Sequence, residues 1–285
     1  MRINRRSFLA LAAVAPAGCS ALVDKVVYSP MVGPVTPASY VAGKPEILKV
    51  PVPGGAAVEA WYFAPRSPLQ TVIAVFHGTG GNIGVIARQS YPFLDLGYGL
   101  LVCDYRGYSA NPGRPSESGM IEDAAAQLSA LRDMGVDPSR TILFGHSLGG
   151  AVTLITASLL EPRGVSYRGI VTWGAVASLS SMAPIIGELL PEQFDAITAV
   201  ARISAPKVFL HGGRDNVVPP DSVTKLADRA KPPSAAIRVQ DGYHDFEAEK
   251  HRVLFEQVFA AVQARNLNAL TGLAARDVKV LVRAV

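Results

Sequence analysis

The chain has 285 residues, 49% of them hydrophobic and 18% charged, which supplies a large core and excludes intrinsic disorder. At this length roughly three quarters of the unfolded surface can be buried, so no disulfide scaffold is needed, and one large domain is the first expectation. Lys+Arg 27 against Asp+Glu 23 gives +4; without Arg2, Arg5 and Arg6, in a head that reads as removable, the balance is 24 against 23, or +1. A near-neutral body lacks the basic field that nucleic-acid binding draws on, so nucleic acid is not an expected partner.

The head reads MRINRRSFLALAAVAPAGC: a basic opening, an apolar stretch from Phe8 to Ala17, then small residues leading to Cys19. This is the pattern of an export signal over residues 1–18, and its apolar stretch is too short for a bilayer span, which needs about 20 residues. Arg5-Arg6-Ser7-Phe8-Leu9 resembles the twin-arginine signal. Ala17-Gly18-Cys19 resembles the end of a bacterial lipoprotein signal, where the cysteine is lipidated before cleavage leaves it as the new N-terminus; Pro16 departs from that pattern. Together these resemblances imply an exported protein of the cell envelope, anchored to a membrane through lipid on Cys19. The other cysteine, Cys103, stands in the apolar run Leu100-Leu101-Val102-Cys103. A disulfide between an N-terminal segment and a core strand is geometrically implausible, so Cys103 is expected to be buried and inert. Residues 19–45, rich in Pro, Val, Ser and Gly without helical period, are expected to be a tether.

From residue 46 to 285, strand-like and helix-like runs alternate. Strands are expected at Glu46 to Val52, Val58 to Phe63, Val72 to Phe76, Leu100 to Asp104, Thr141 to Phe144, Gly169 to Trp173, Lys207 to Leu210 and Ala236 to Val239. Helices are expected at Val85 to Leu96, Gly119 to Met134, Gly149 to Leu160, Asp221 to Ala230 and Phe246 to Val262. Such alternation predicts a mostly parallel sheet of about eight strands with helices on both faces. Runs such as Val72-Ile73-Ala74-Val75-Phe76 are what strands buried on both faces require. Ligands of such sheets bind beyond the carboxyl ends of the strands.

At one such end stands Gly145-His146-Ser147-Leu148-Gly149-Gly150, a GxSxG string between an apolar strand and a helix. The turn is so tight that side chains two residues before and after the serine would clash, hence the glycines. A serine hydroxyl needs an adjacent base that a carboxylate orients, and in this arrangement acid and then histidine follow the serine. Asp215 lies just after the Lys207 to Leu210 strand and His244 just after the next, so Ser147, Asp215 and His244 can converge. The end of the Gly169 to Trp173 strand offers only Gly174-Ala175-Val176. Asp245 is expected to cap the closing helix, Asp221 to open the helix before it and Asp241 to sit in a turn. His251 is expected to be solvated, and His146 and His211 to brace loops. For the oxyanion, one donor is the Leu148 amide and the other comes from Phe76-His77-Gly78-Thr79-Gly80-Gly81-Asn82, assigned to the Thr79 amide with Gly80 as the alternative. A dinucleotide reading of that loop would demand glycine at position 83, which is Ile83. No cofactor is expected.

With those residues in place, the chain from about Glu46 to Val262 resembles an α/β-hydrolase. Three stretches resemble the Bem46-like serine hydrolases: His77-Gly78-Thr79-Gly80-Gly81-Asn82, with Thr79 where asparagine is common; Asp104-Tyr105-Arg106-Gly107-Tyr108-Ser109; and Pro115-Ser116-Glu117. The resemblance implies a carboxylester or thioester hydrolase that works through Ser147, Asp215 and His244, with the Asp104 stretch shaping the site wall. It leaves the substrate open. Residues 175–206 occupy the place of the lid. Leu179, Met182, Ile185, Ile186, Leu189 and Leu190 there pack on the body or face the pocket, and in the latter case favour an acyl chain. Peptidase and acyltransferase activity on the same residues, and a silent binding lipoprotein, stand as alternatives.

Overall fold

Strands whose residues are apolar on both faces must be covered on both, and that requirement organises the molecule. The computed structural model describes residues 27–54, 56–67, 70–182, 193–273 and 278–283. Arg5, Arg6, Cys19, Ile185, Ile186, Leu189 and Leu190 therefore lie outside the described residues.

The sheet runs β1 (Glu46–Pro51), β2 (Ala57–Phe63), β3 (Val72–Phe76), β4 (Gly99–Cys103), β5 (Thr141–His146), β6 (Gly169–Trp173), β7 (Lys207–Gly212), β8 (Ser234–Val239) and β9 (Val278–Arg283). In space the order is β1-β2-β4-β3-β5-β6-β7-β8-β9. The six strands from β4 to β8 are parallel, while β1, β2 and β9 join antiparallel at the edges. The eight expected strands are all present. The ninth, β9, was not anticipated and pairs along the whole of β8.

Alternate residues of each strand feed separate cores. Ala74, Phe76, Leu101, Cys103 and Leu143 face one; Ile73, Val75, Leu100, Val102, Ile142 and Phe144 face the other. The first core is covered by α3 (Glu117–Asp133), α4 (Leu148–Leu160), α6 (Ala196–Val200) and α7 (Ser222–Arg229). The second lies under α1 (Ile83–Ser90), α2 (Pro92–Asp95) and α8 (Arg252–Gln263). The short α5 (Leu179–Met182) falls within residues 175–206, the stretch expected to be the lid. Local signals set the helix starts: the Asn82 side chain accepts from the Val85 amide, and Ser116 from Gly119. The helix expected over Val85 to Leu96 breaks into α1 and α2 at Tyr91-Pro92, where proline supplies no amide for α1 to continue. Cys103 is buried, which pushes its thiol pKa well up and keeps it protonated.

Two expectations fail for the same reason, that apolar side chains pull irregular chain onto the body. The closing helix starts at Arg252 and not at Phe246, because Phe246 is drawn into the core against Phe144, 5.0 Å between ring centroids, and residues 245–251 turn around it. Asp245 consequently caps no helix. His251 precedes α8 half-buried, its ring 5.2 Å from Trp173. Likewise the expected tether is pinned to the body at several points from Val27 onward. Val27, Tyr28 and Val41 are buried, Arg88 lies 5.4 Å over the Tyr40 ring, and Val32 bridges to Ser109. No helix among the described residues is long and apolar enough to cross a membrane.

The second core centres on Phe93, whose ring lies 4.9 Å from Phe259, 5.0 Å from Phe255 and 5.5 Å from Phe144. Phe93→Ala should cost about 3–5 kcal/mol, read as a lower urea midpoint at unchanged slope. A loss below about 1 kcal/mol would contradict this account of the core.

Candidate active site

Parallel pairing in register, Phe76 beside Gly145 and His146 beside Trp173, brings the carboxyl ends of β3, β5 and β6 into line, with β7 and β8 following. The loops that leave those ends form one cavity of about 850 Å³. The turn from β5 into α4 sits at its base. Ser147 there has φ 55° and ψ −123°, a strained conformation for a residue with a side chain. Its amide donates to Trp173 O and its carbonyl accepts from Val176 N, so the turn is tied to the next strand. A Cβ on Gly145 would stand 2.5 Å from the carbonyl of Gly149, and one on Gly149 would collide with the carbonyls of Phe76 and His77. The spacing read from the sequence thus has its physical cause in backbone packed on backbone.

Asp215, His244 and Ser147 form one hydrogen-bonded line. The Ser147 hydroxyl donates to His244 Nε2 at 2.9 Å, and His244 Nδ1 donates to Asp215 Oδ2 at 2.8 Å. Asp215 Oδ1 accepts from the amides of Val217 and Val218, both at 2.9 Å. Burial pushes the Asp215 pKa up, but the hydrogen bond and charge of His244, the His211 ring and the Val217 amide outweigh it, leaving the carboxyl below its ordinary range.

The loop that carries His244 is pinned by two buried side chains, of which the sequence singled out only His146 as a brace. Trp173 Nε1 donates to the Tyr243 carbonyl at 3.1 Å, and His146 Nε2 donates to the His244 carbonyl at 3.0 Å. His146 is the loop brace it was expected to be. Burial, then the neighbouring His244, lowers its pKa to about 4, so it stays neutral and donates through Nε2. His211 also braces, with Nε2 donating to Val218 O at 3.3 Å. Asp241 sits in its turn and pairs with Arg214 at 2.5 Å, away from the histidine. Asp221 precedes α7 as expected, with its side chain on Lys225 and not on the helix amides.

The loop after β3 lies against the serine. A Cβ on Gly78 would come 2.8 Å from Ser147 Cβ, so only glycine admits this approach, and it brings the next residue, Thr79, to the same cavity as Leu148. Leu148 opens α4, so its amide has no partner inside the helix. The Thr79 hydroxyl is buried without a hydrogen-bond partner. Beneath the loop, His77 donates to Asp104 Oδ1 at 2.9 Å, and Asn111 donates to Asp104 Oδ2 at 2.9 Å. Arg106 and Asp123 pair at 2.6 Å behind them. The Asp104-Tyr105-Arg106-Gly107-Tyr108-Ser109 stretch therefore underpins the wall of the cavity and presents no group beside Ser147.

The lining is largely apolar: Val27, Ile86, Leu148, Val176, Leu179 and Met182 contribute. Leu179 serves both readings of the lid stripe, buried in the core and exposed to the cavity. Glu117 holds the far end of that region by accepting from the Gln193 amide at 2.8 Å. Among the described residues no cluster of His, Cys, Asp or Glu has the makings of a metal site.

A family model described as Serine aminopeptidase, S33, matches residues 67–194. An uncharacterized protein of Mycobacterium tuberculosis is 31% identical over 243 residues, covering 82% of this chain and 85% of its own. Protein bem46 of Schizosaccharomyces pombe is 27% identical over 164 residues, 53% of each chain. Among solved structures, an alpha-beta hydrolase from Vibrio vulnificus superposes with TM-score 0.66 at 17% identity, covering 90% of both chains. The esterase Pf2001 of Pyrococcus furiosus superposes with TM-score 0.64 at 17% identity, covering 83% of this chain and 95% of that one. At such identities the structures speak for the fold alone. Taken with the family model and the relatives, they identify the class: the chain belongs to the α/β-hydrolase superfamily.

The lowered pKa of His146 has a consequence for stability. Between about 4 and its ordinary 6.5 the unfolded chain binds a proton that the folded chain does not, so stability is full above that window and falls as pH drops through it. His211 and His251, also lowered by burial first, add to the same slope. Urea midpoints should therefore fall as pH drops from about 6.5 to about 4, and His146→Gln should flatten that dependence without abolishing it. An unchanged slope in the variant would show that His146 protonates freely in the folded state.

Proposed function

We propose that the protein is a Bem46-like serine hydrolase that cleaves a carboxylic ester or thioester through a Ser147 acyl-enzyme. The observation that carries this reading is the unbroken line from Asp215 through His244 to the Ser147 hydroxyl, at 2.8 and 2.9 Å, ending at a strained turn in the base of a cavity. Ser147 Oγ attacks the acyl carbonyl as His244 Nε2 takes its proton. Asp215 fixes the tautomer of the ring and stabilises the imidazolium. The oxyanion is met by the amides of Leu148 and Thr79, the former at the positive end of the α4 dipole. His244 then returns the proton to the departing alcohol or thiol, and water repeats the sequence on the acyl-enzyme. The apolar lining favours a lipid-like or otherwise hydrophobic acyl group. No step calls for a cofactor.

The description of the matching family model favours a second reading, removal of amino-terminal residues from peptides by the same residues. Turnover of aminoacyl anilides exceeding that of esters would select it.

Ser147→Ala should lower turnover of activated esters by about 10³-fold or more, with a residual rate from the oxyanion donors and binding. Asp215→Asn should lower it greatly while leaving Ser147 open to slow labelling by a fluorophosphonate. Near-wild-type turnover in the alanine variant would sink the assignment. If Asp241→Asn or Asp245→Asn were the crippling change, the acid would be misassigned.

Export through the twin-arginine head and lipidation of Cys19 complete the proposal, resting on the sequence of residues 1–19. A diacylglycerol with an added acyl chain exceeds the two-signal threshold for stable membrane anchoring. Fractionated cells should hold the wild type in membranes and Cys19→Ala as unprocessed or mislocalised precursor. Equal amounts of soluble, cleaved protein from both would refute the anchor.

A further inference from the structure

The segment that leads into the fold reaches the cavity before the sheet begins. Val27, 6% exposed, lines the cavity together with Leu179 and Met182 of α5. The segment is held there at several points. The Tyr108 hydroxyl, buried under the site, lies 2.5 Å from the Tyr28 carbonyl and 3.2 Å from the Thr79 carbonyl, so one phenol ties this segment to the loop of the expected oxyanion donor. Met31 N donates to Gly81 O on that same loop, Ser109 N donates to Met31 O at 2.9 Å, and Gly33 N donates to Ser109 O at 2.7 Å. On its other side the Tyr28 ring meets Phe194, on the returning arm of the lid region, at 6.1 Å in an edge-on contact.

A side chain discriminates between substrates by size only where its backbone cannot retreat, because a flexible wall yields to the longer group. Tyr28, Met31 and Gly33, through hydrogen bonds to two loops and the ring contact with Phe194, hold the backbone that carries Val27. Val27, Leu179 and Met182 give that part of the cavity an aliphatic wall, and each methylene gained or lost against such a wall changes a specificity constant by about 10-fold or more.

Resting on the hydrolase reading above, we propose that residues Val27 to Gly33 form a strap that is part of the acyl site, and that Val27 bounds the acyl chain and sets the length the enzyme accepts. The substrate class is then an ester or thioester of an aliphatic acid whose chain runs against this strap. Val27 is a specificity-determining residue, and Tyr108 is a positioning residue that acts through Tyr28 and Thr79.

The test uses the full chain and a series of p-nitrophenyl esters from acetyl to dodecanoyl, with fluorophosphonate labelling run beside it. Val27→Trp should lower the ratio of kcat/KM for the longest accepted ester over the acetyl ester by about tenfold or more, and Val27→Ala should raise it. If the tryptophan variant fails to fold, the alanine variant carries the test alone. Tyr108→Phe should lower kcat more than it raises KM, whereas a merely structural phenol would lower the melting temperature and leave that split unchanged. Chain-length ratios within about twofold of wild type in both Val27 variants, with labelling intact, would overturn the strap's role. A wild type that takes label yet shows no dependence on acyl length would overturn it as well. A wild type that neither takes label nor hydrolyses any ester would overturn the hydrolase reading instead.

Discussion

The site depends on one backbone constraint, the strained turn at Ser147. A residue at φ 55° between a buried strand and a buried helix is held only if the chain on either side cannot relax. Here it cannot, because Gly149 lies directly on the carbonyls of Phe76 and His77, and Gly145 lies on Gly149 and Gly150. The same contact fixes the loop after β3 relative to the serine. The Ser147 turn and the loop after β3 are thus one packed unit and not two loops that happen to meet. Preorganisation of this kind lets donors act without rearranging as charge develops.

A second ring of interactions determines where His244 stands. Trp173 and His146, at the ends of β6 and β5, each hold one carbonyl of the Tyr243-His244 pair. Because burial keeps His146 neutral, His244 has an uncharged ring beside it, 5.0 Å between centroids. On its other flank Asp215 is held by two amides and stays ionised. His244 thus has the Asp215 carboxylate at Nδ1 and a neutral ring behind it, the arrangement on which the proposed proton transfer relies.

Much of this was legible in the sequence because it rests on local pattern. Five-residue apolar runs mark β3, β4 and β6, and the glycines of Gly145-His146-Ser147-Leu148-Gly149 mark the turn. Asp215 and His244 follow from lying just beyond strand ends, acid then histidine, after the serine turn. What escaped was set by tertiary contact. Val278-Lys279-Val280-Leu281-Val282-Arg283 carries a β-like apolar bias, but its place as a ninth strand depends on the free edge of β8. The Phe246 to His251 stretch has helical composition, yet Phe246 belongs among Phe93, Phe144 and Phe255, and satisfying that cluster delays the helix to Arg252. The Pro- and Val-rich stretch before β1 looks like a linker by composition, while Val27, Tyr28 and Val41 behave as core.

That last feature separates two boundaries that usually coincide. By hydropathy and periodicity the body starts at Glu46, but by contact it starts no later than Val27. Tyr108 is fully buried, and its shortest hydrogen bond is to a carbonyl that lies eighty residues earlier and outside the alternating body. A chain begun at residue 46 would keep every strand and leave that phenol without its nearer acceptor. It would also unroof the Gly81 loop that Met31 holds. For this protein the unit that folds as a sheet is smaller than the unit that encloses its cavity, and the shorter one would be an incomplete vessel with an intact floor.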